Sequence, residues 1–328
     1  MAAHEAAAES PTSIPQLASA QWLLAGPTAV GKSQVALLLA ERLGGEIISV
    51  DSMQVYRGLD IGTAKPSPAE RRRVPHHLID VVELTEPFDA SRFVQCARHA
   101  VSDIQARGRI PILCGGTGLY FKAFLEGLGD APPSRPALRA KLEATPLPDL
   151  LRELAQHDPV TFQRIDRQNP RRVIRAVEVL RLTGRPFSEQ RADWQPATRN
   201  DQHGAQFAFP MSRYIGFSRS PADLRARIDA RVEAMFQRGL VAETQQLLRQ
   251  GLAENRTARQ ALGYRQVIEH LRGEQSLAET IALVKTRTWQ FAKRQMTWFR
   301  HQARLEWLAL EPGETAAQTV ARLLPAGT

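Results

Sequence analysis

The chain has 328 residues, of which 43% are hydrophobic, so it can bury a large core and has room for roughly two domains. Its 43 Lys and Arg exceed its 34 Asp and Glu and give a net charge of +9, which favours a polyanionic partner such as nucleic acid, although a basic surface can also serve solubility alone. Apolar runs fall short of the ~20 residues that a membrane-spanning helix requires, which argues against a membrane protein. Cys96 and Cys114 are the two cysteines, and their spacing suits neither a zinc site nor a disulfide framework, so we expect a cytoplasmic protein.

A phosphate-binding motif of the form G-x-x-x-x-G-K-[ST] follows an apolar run at 22–25 and precedes a helical pattern at 34–43. Its residues are Gly26, Pro27, Thr28, Ala29, Val30, Gly31, Lys32 and Ser33. Strand, glycine-rich loop and helix together predict a site whose backbone N–H groups and helix N-terminus surround a polyphosphate, rather than an ordinary turn. Lys32 would reach the terminal phosphates, and the hydroxyl of Ser33 would bind a magnesium ion.

Asp51 ends the next predicted strand, which starts at Glu46. Ligands of an open parallel sheet collect beyond the carboxyl ends of its strands, so topology alone places Asp51 near the phosphate loop. Three roles remain open for this carboxylate at this point: a magnesium ligand, a base, or the N-cap of the segment that follows.

The run from Ser49 to Pro66, taken together with Gly26 to Ala29, resembles the bacterial tRNA dimethylallyltransferases. The resemblance implies transfer of a dimethylallyl group from dimethylallyl diphosphate to N6 of the adenine 3′ of the anticodon, position 37, in tRNAs that read codons beginning with U. The products would be N6-isopentenyladenosine and diphosphate. It also implies tRNA contacts from the segment Asp51, Ser52, Met53 and Gln54.

A second loop is predicted at the same sheet edge. A strand is predicted at 75–81 and a helix at 90–107, and a short buried strand at 110–114 then opens onto Gly115, Gly116 and Thr117. Two glycines let the backbone approach a ligand closely, and Thr117 offers either a ligand contact or an N-cap. This segment matches a second signature of the family, which implies that Thr117 contacts the tRNA or the reacting groups.

The sequence pattern changes between about 134 and 200, where arginine-rich helical patterns replace the predicted strands. This stretch contains 13 Lys and Arg against 8 Asp and Glu, so it carries more than half of the net charge. Arginines at a helix start can clamp phosphates or simply form a solvated face. In the family, the equivalent segment grips the anticodon stem-loop, which implies tRNA contacts from Gln168, Asn169, Pro170, Arg171 and Arg172.

Further residues and motifs also resemble the family. Arg139, which pattern alone would leave on the surface, and Arg231, on the charged flank of a predicted helix with Arg225 and Arg227, are implied to act in the site. A Gly-Tyr-Arg motif implies tRNA contacts from Gln260, Ala261, Leu262, Gly263, Tyr264 and Arg265. A basic helix predicted at 285–304 is interleaved with aromatic residues, a composition that suits single-stranded RNA.

The predicted fold is an α/β P-loop NTPase-like parallel sheet flanked by helices, with an inserted all-helical RNA-binding domain. We predict a disordered tail at 1–20, a catalytic domain at 21–133 and 201–328, and the helical insert at 134–200. The expected partners are dimethylallyl diphosphate and the anticodon stem-loop of tRNA, with Mg²⁺ as cofactor and a monomeric chain. Asp51 would take the N6 proton, and Lys32, Arg139, Arg231 and a magnesium ion on Ser33 would stabilise the leaving diphosphate, with Thr28 and Thr117 as positioning groups.

Three alternatives use the same motifs. A small-molecule or nucleotide kinase shares the phosphate loop and the sheet, but would need a nucleotide lid in place of a basic insert. An RNA-binding protein that uses a nucleotide as a switch would tolerate the loss of the Asp51 carboxylate. A prenyltransferase acting on free adenine nucleotides would have little use for the arginine-rich insert.

Overall fold

The computed structural model describes residues 21–192 and 213–324 and divides them into two compact units. The first unit comprises the described residues 21–124 and 213–324, and the second begins at Leu125 and includes the described residues up to 192. The predicted tail at 1–20 and the predicted end of the insert lie outside the described residues.

The first unit is built on a six-stranded sheet in the order β3-β2-β4-β1-β5-β6, with all strand pairs parallel. The strands are β1 (Trp22–Ala25), β2 (Glu46–Val50), β3 (His76–His77), β4 (Pro111–Gly115), β5 (Arg213–Ser218) and β6 (Glu306–Ala309). The central strands are buried on both faces, as their continuous apolar sequences predict for a parallel sheet. The predicted fold class is thereby confirmed.

Helices flank the strands of this unit and connect them. They are α1 (Lys32–Leu43), α2 (Pro68–Arg73), α3 (Ala90–Ala106), α4 (Gly118–Glu126, which runs into the second unit), α10 (Pro221–Gln237), α11 (Leu240–Arg249), α12 (Tyr264–Leu271), α13 (Leu277–Gln302) and α14 (Ala316–Leu323). The long helix α13 begins at a capping box formed by Ser276 and Glu279, eight residues before the predicted start at 285. Among the described residues, none of the helices combines the length and the apolarity needed to cross a membrane.

The regular secondary structure in the described residues of the second unit is helical, apart from an isolated bridge between Gly129 and Arg191. Its helices are α5 (Pro136–Ala144), α6 (Leu147–His157), α7 (Pro159–Arg164), α8 (Pro170–Thr183) and α9 (Phe187–Gln190). A core of its own, which includes Leu142, Leu154, Val173 and Val177, holds these helices together. The start at Leu125 precedes the predicted boundary at 134.

The register of the sheet places three loops side by side. Val50, Gly115 and Ala25 lie opposite one another in neighbouring strands, and each is the last residue of its strand. A Cβ on Gly115 would lie 2.1 Å from the carbonyl oxygen of Val50, so a side chain there would force β2 and β4 apart. The phosphate loop, the Asp51 segment and the Thr117 loop therefore leave the sheet at one level.

The third strand is shorter than the sequence predicted. Only His76–His77 pair with β2, because Leu78 and Asp80 have positive φ angles of 60° and 55°, which turn the chain out of the sheet. Asp80 is held in this conformation by ion pairs with Lys65 and Arg71, at 2.5 and 2.8 Å. The apolar pattern at 75–81 gave no sign of these pairs.

Candidate active site

A pocket of about 470 Å³ lies where the three loops meet. Its lining includes the polar side chains of Thr28, Lys32, Ser33, Asp51, Arg231 and Gln295. The predicted residues Lys32, Ser33, Asp51 and Arg231 thus share one cavity of the first unit, whereas Arg139 and Thr117 do not line it. Its size suits a small diphosphate with an attached group.

The phosphate loop has the form that its sequence predicts. Gly31 adopts φ 115°, a conformation that strongly favours glycine, and α1 begins at the next residue. The ammonium group of Lys32 donates to the carbonyl oxygens of Gly26 and Pro27, at 2.9 and 2.7 Å, and so closes the loop on itself. A bound anion would compete with these carbonyls for the lysine.

Burial lowers the pKa of Lys32 from 10.5 to about 8. The positive charge of the neighbouring Arg231 lowers this pKa further, and the negative charge of Asp51 partly opposes the shift. Burial also raises the pKa of the Cys114 thiol to about 11, so this cysteine is neutral and unreactive at physiological pH. Lys32 is therefore the pocket group whose charge responds to mildly alkaline conditions.

The affinity for inorganic diphosphate is expected to fall as pH rises through about 8. Lys32 carries its positive charge below this pKa and loses it above, so the attraction for an anion is present at lower pH and is lost on alkalinisation. Calorimetric titration of wild type and of Lys32→Met at matched pH between about 7 and about 9.5 isolates this effect, because the ionisation of the ligand cancels in the ratio of dissociation constants. A ratio that stays constant across this range would contradict the assignment.

Three arginines before and within α10 hold successive residues of the phosphate loop. Arg219 donates to the carbonyl oxygen of Val30 at 2.8 Å, and Arg227 donates to that of Ala29 at 2.9 Å. Arg231 donates to the hydroxyl of Thr28 at 3.0 Å. Burial lowers the pKa of Arg231, and the nearby Arg227 lowers it further. A buried cation beside a second cation is typical of a site that binds an anion.

Sequence reasoning identified only one of these three arginines as part of the site. It placed Arg227 on a charged helix flank and did not single out Arg219. The spacing of four residues between Arg227 and Arg231 puts both on one helix face and was a usable signal. Arg219 precedes α10 and pairs with Asp223 at 2.8 Å, and no local pattern links it to the phosphate loop.

Asp51 is both a cap and a candidate base. Its Oδ1 atom accepts hydrogen bonds from the backbone N–H groups of Met53 and Gln54, at 2.8 and 3.2 Å. Within 21–192 and 213–324, Oδ2 makes no hydrogen bond, so it can accept one from a substrate amine. The structure has a turn rather than a helix after Asp51, so the predicted N-cap of a helix is the cap of a turn instead. This capping role and a catalytic role are compatible, because they use different oxygens of one carboxylate.

Thr117 connects two of the loops. Its hydroxyl oxygen accepts a hydrogen bond from the backbone N–H of Ser52 at 3.2 Å, and its own N–H donates to the carbonyl of Val50 at 3.2 Å. The side chain thus fixes the segment that carries Asp51. A direct contact with the reacting groups remains a prediction for this half-buried residue.

Of the other predicted tRNA contacts near Asp51, one lines the pocket and two do not. Gln54 lines the pocket, accepts a hydrogen bond from Ser49 at 2.8 Å and donates to the carbonyl of Thr63 at 3.0 Å. Ser52 and Met53 are partly exposed beside it and do not line the pocket. Their contacts with RNA stay predictions.

Tyr264 of the Gly-Tyr-Arg motif is a structural residue rather than an exposed RNA contact. Its side chain is completely buried, its hydroxyl donates to Glu243 at 2.6 Å, and it accepts from the N–H of Gly62 at 3.0 Å. Ala261 and Gly263 are buried as well, whereas Arg265 is exposed and pairs with Glu269 at 3.0 Å. The sequence motif therefore combines a buried residue that anchors the 56–66 segment, Tyr264, with one accessible cation, Arg265. Gln260 and Leu262 are partly exposed.

Tyr264→Phe is expected to lower the free energy of unfolding by about 1–3 kcal/mol, because it leaves the partly buried N–H of Gly62 and the Glu243 carboxylate without the hydroxyl. Arg265→Ala is the matched comparison from the same motif, with an expected change within about 0.5 kcal/mol and a loss of tRNA affinity instead. Urea unfolding and tRNA titration of both variants measure the two effects. Equal stability of the two variants would show that the anchor assignment is wrong.

The predicted arginines of the insert lie in the helical unit. Arg139 pairs with the buried Glu178 at 3.3 Å and with Glu143 at 3.6 Å, and its part in binding diphosphate stays a prediction. Asn169 caps α8, and its neighbours in the predicted RNA-binding segment are exposed: Gln168, Pro170, Arg171 and Arg172. Two exposed guanidinium groups in the first turn of a helix form a positive surface that suits phosphates.

Gln295 is the pocket residue that sequence reasoning missed. It lies within the basic string assigned to RNA binding, yet it shares a buried stripe of α13 with Thr288, Ala292 and Phe299. A glutamine in such a stripe must satisfy its amide inside the protein, which was the available signal. Its side chain bridges two of the loops.

Comparisons with known proteins identify the family of this chain. A family model described as IPP transferase matches residues 54–302. The tRNA dimethylallyltransferase 1 of Trichlorobacter lovleyi is 47% identical over 291 residues, which cover 88% of this chain and 92% of the relative.

Two solved structures show the same fold. The full-length tRNA isopentenylpyrophosphate transferase of Bacillus halodurans aligns with a TM-score of 0.66 and 36% identity, over 93% of this chain and 94% of that chain. A eukaryotic dimethylallyltransferase, described as acting on tRNA, aligns with a TM-score of 0.73 and 29% identity, over 88% of this chain and 73% of that one. Since sequence and fold agree over most of the chain, this protein belongs to the IPP transferase family.

Proposed function

We propose that this protein transfers a dimethylallyl group from dimethylallyl diphosphate to N6 of adenine 37 in tRNAs that read codons beginning with U. The observation that carries the proposal is the pocket of the first unit, which combines a cationic phosphate loop with the carboxylate of Asp51. Such a site suits a reaction in which an anion leaves while a proton is removed from the attacking group. Membership of the IPP transferase family supplies the identity of the transferred group.

The leaving diphosphate gains negative charge as the bond between the allylic carbon and the bridging oxygen breaks. Lys32 and Arg231 line the pocket beside the backbone N–H groups at the start of α1, so they can stabilise that charge. Arg219 and Arg227 hold the carbonyls of Val30 and Ala29, which keeps the loop in its anion-binding form. Arg139 is proposed as a further cation for the diphosphate.

A magnesium ion fits this site through Ser33. Within the described residues, no group of three or more His, Cys, Asp or Glu side chains could hold a metal ion alone. Magnesium is commonly bound by one or two protein ligands together with substrate phosphates and waters, and the exposed hydroxyl of Ser33 lines the pocket. When bound there, the ion would neutralise part of the diphosphate charge.

The exocyclic amine of adenine is a weak nucleophile because its lone pair is delocalised into the ring. Asp51 can accept a hydrogen bond from N6 through Oδ2, orient the amine toward the allylic carbon and take its proton as the C–N bond forms. The electrons of the breaking C–O bond leave with the diphosphate. Thr117, which holds the N–H of Ser52, keeps this carboxylate in place.

Adenine 37 must leave the anticodon-loop stack to reach the pocket, at a cost of a few kcal/mol. We propose that Arg171 and Arg172 at the start of α8 offset this cost through contacts with the anticodon stem-loop. We further propose that the protein acts as a monomer in the cytoplasm; light scattering in the presence and absence of tRNA tests the first of these statements.

The decisive test is incubation of the protein with Mg²⁺, labelled dimethylallyl diphosphate and unmodified tRNA that carries adenine at position 37. We expect one prenyl group on that adenine and none on a matched tRNA with guanine there. A parallel reaction with labelled ATP tests the kinase alternative, which the family comparisons do not favour. Phosphate transfer without prenyl transfer would overturn the proposal.

A further inference from the structure

Gln295 joins the phosphate loop to the loop at the end of β4 through one side-chain amide. Its Oε1 atom accepts a hydrogen bond from the backbone N–H of Thr28 at 2.9 Å. Its Nε2 atom donates to the carbonyl oxygen of Gly116, also at 2.9 Å. The side chain is buried, with 8% of its surface exposed, so water competes weakly for either bond.

The two bonds reach the two halves of the proposed reaction. Thr28 belongs to the phosphate loop, and Arg231 holds its hydroxyl from another direction. Gly116 precedes Thr117, whose hydroxyl binds the N–H of Ser52 next to Asp51. A short chain of hydrogen bonds therefore runs from the diphosphate side of the pocket, through Gln295, to the segment that carries the candidate base.

An amide is the group that this bridge requires, because one bond needs an acceptor and the other needs a donor. A carboxylate would face the Gly116 carbonyl with a second acceptor, and an ammonium group would face the Thr28 N–H with a second donor. The space is also adjusted to the amide: a Cβ on Gly116 would lie 2.4 Å from Nε2 of Gln295. Glycine at 116 and glutamine at 295 thus fit each other.

We propose that Gln295 is a positioning residue, which aligns the phosphate loop with the Asp51 segment so that the allylic carbon and N6 meet in the reactive geometry. This inference rests on the proposed transfer reaction. The residue acts through backbone groups of two loops and need not touch either substrate. Each loop still binds its own ligand without the bridge, but the two ligands are then misaligned.

The test compares Gln295→Ala, Gly116→Ala, the double variant and Gln275→Ala. Gln275 is the matched control, since its amide also donates to a backbone carbonyl, that of Gln266 at 3.0 Å, and it does not line the pocket. Single-turnover prenyl transfer gives the rate of the chemical step. Separate titrations with inorganic diphosphate and with tRNA give the two affinities, and thermal unfolding reports on folding.

We expect Gln295→Ala to slow the chemical step by about 10- to 100-fold, the size of effect that a small misalignment of reactants produces. Both dissociation constants should stay within about 3-fold of wild type, which is a shift of less than 1 kcal/mol. Gly116→Ala should slow the same step by displacing the amide. In the double variant this change should add nothing, because the amide that it displaces is already gone.

Three results would overturn the inference. The first is a rate for Gln295→Ala no lower than that of Gln275→Ala, and the second is a loss that resides wholly in substrate affinity or in thermal stability. The third is full additivity of the two substitutions, which would show that they do not act through one contact. A wild-type protein that transfers no prenyl label would instead refute the proposed function, and the inference with it.

Discussion

Asp51→Asn is expected to lower the turnover number for prenyl transfer by about 1,000-fold, within the range that general-base catalysis supplies. The asparagine side chain keeps an oxygen that can accept from Met53 and Gln54, whose N–H groups lie 2.8 and 3.2 Å from Oδ1 of Asp51. It removes the negative charge and the capacity to take a proton from N6. The fold and the bound state should therefore survive while the chemistry is lost.

Single-turnover kinetics and tRNA titration separate these effects. We expect the tRNA dissociation constant to remain within about 2-fold of wild type, a change of less than 1 kcal/mol. Asp103→Asn on the exposed side of α3 is the control for a general change of charge, with wild-type turnover expected. A fall in turnover below about 10-fold for Asp51→Asn would leave the carboxylate as a cap alone.

Lys32→Met is expected to lower kcat/KM for dimethylallyl diphosphate by about 100- to 1,000-fold, the usual cost of removing one group that stabilises developing negative charge. The substitution replaces the buried ammonium, which now rests against the carbonyls of Gly26 and Pro27, by an apolar chain of similar length. In the ligand-free protein, the removal of a costly buried charge opposes the loss of the hydrogen bonds to the carbonyls of Gly26 and Pro27, so thermal unfolding of the variant measures the balance of the two.

Steady-state kinetics at saturating tRNA measure this effect, and Arg98→Met, at an exposed position of α3, controls for the loss of one positive charge. The affinity for tRNA should not change in either variant. If kcat/KM of Lys32→Met remained within about 10-fold of wild type, the arginines of the pocket would have to carry the leaving-group charge instead.

Local signals explain how much of the fold could be predicted. The phosphate loop was recognisable because its strand, glycines and helix lie within about twenty residues, and Asp51 could be placed because a parallel sheet gathers the carboxyl ends of its strands. The helix at Pro170–Thr183 could be predicted equally well, since its cap at Asn169 and its apolar face are local features.

Long-range contacts explain what could not be predicted. Arg219 and Gln295 reach the phosphate loop from 189 and 267 residues away in sequence, and no local pattern encodes either bond. The burial of Tyr264 depends likewise on Glu243 and Gly62. The length of β3 was overestimated for a related reason: the turn at Asp80 is held by the ammonium of Lys65, which lies outside the apolar run that predicted the strand.

The order of these contacts along the chain has a consequence for biosynthesis. The phosphate-binding motif and Asp51 are translated before the side chains that hold the phosphate loop in place. Those side chains lie between Arg219 and Gln295 in the sequence. The strand β5, which flanks β1, is also made after the helical unit. A nascent chain that ends at 192 therefore contains the complete motif without these contacts, and the pocket is assembled only after Gln295 has left the ribosome.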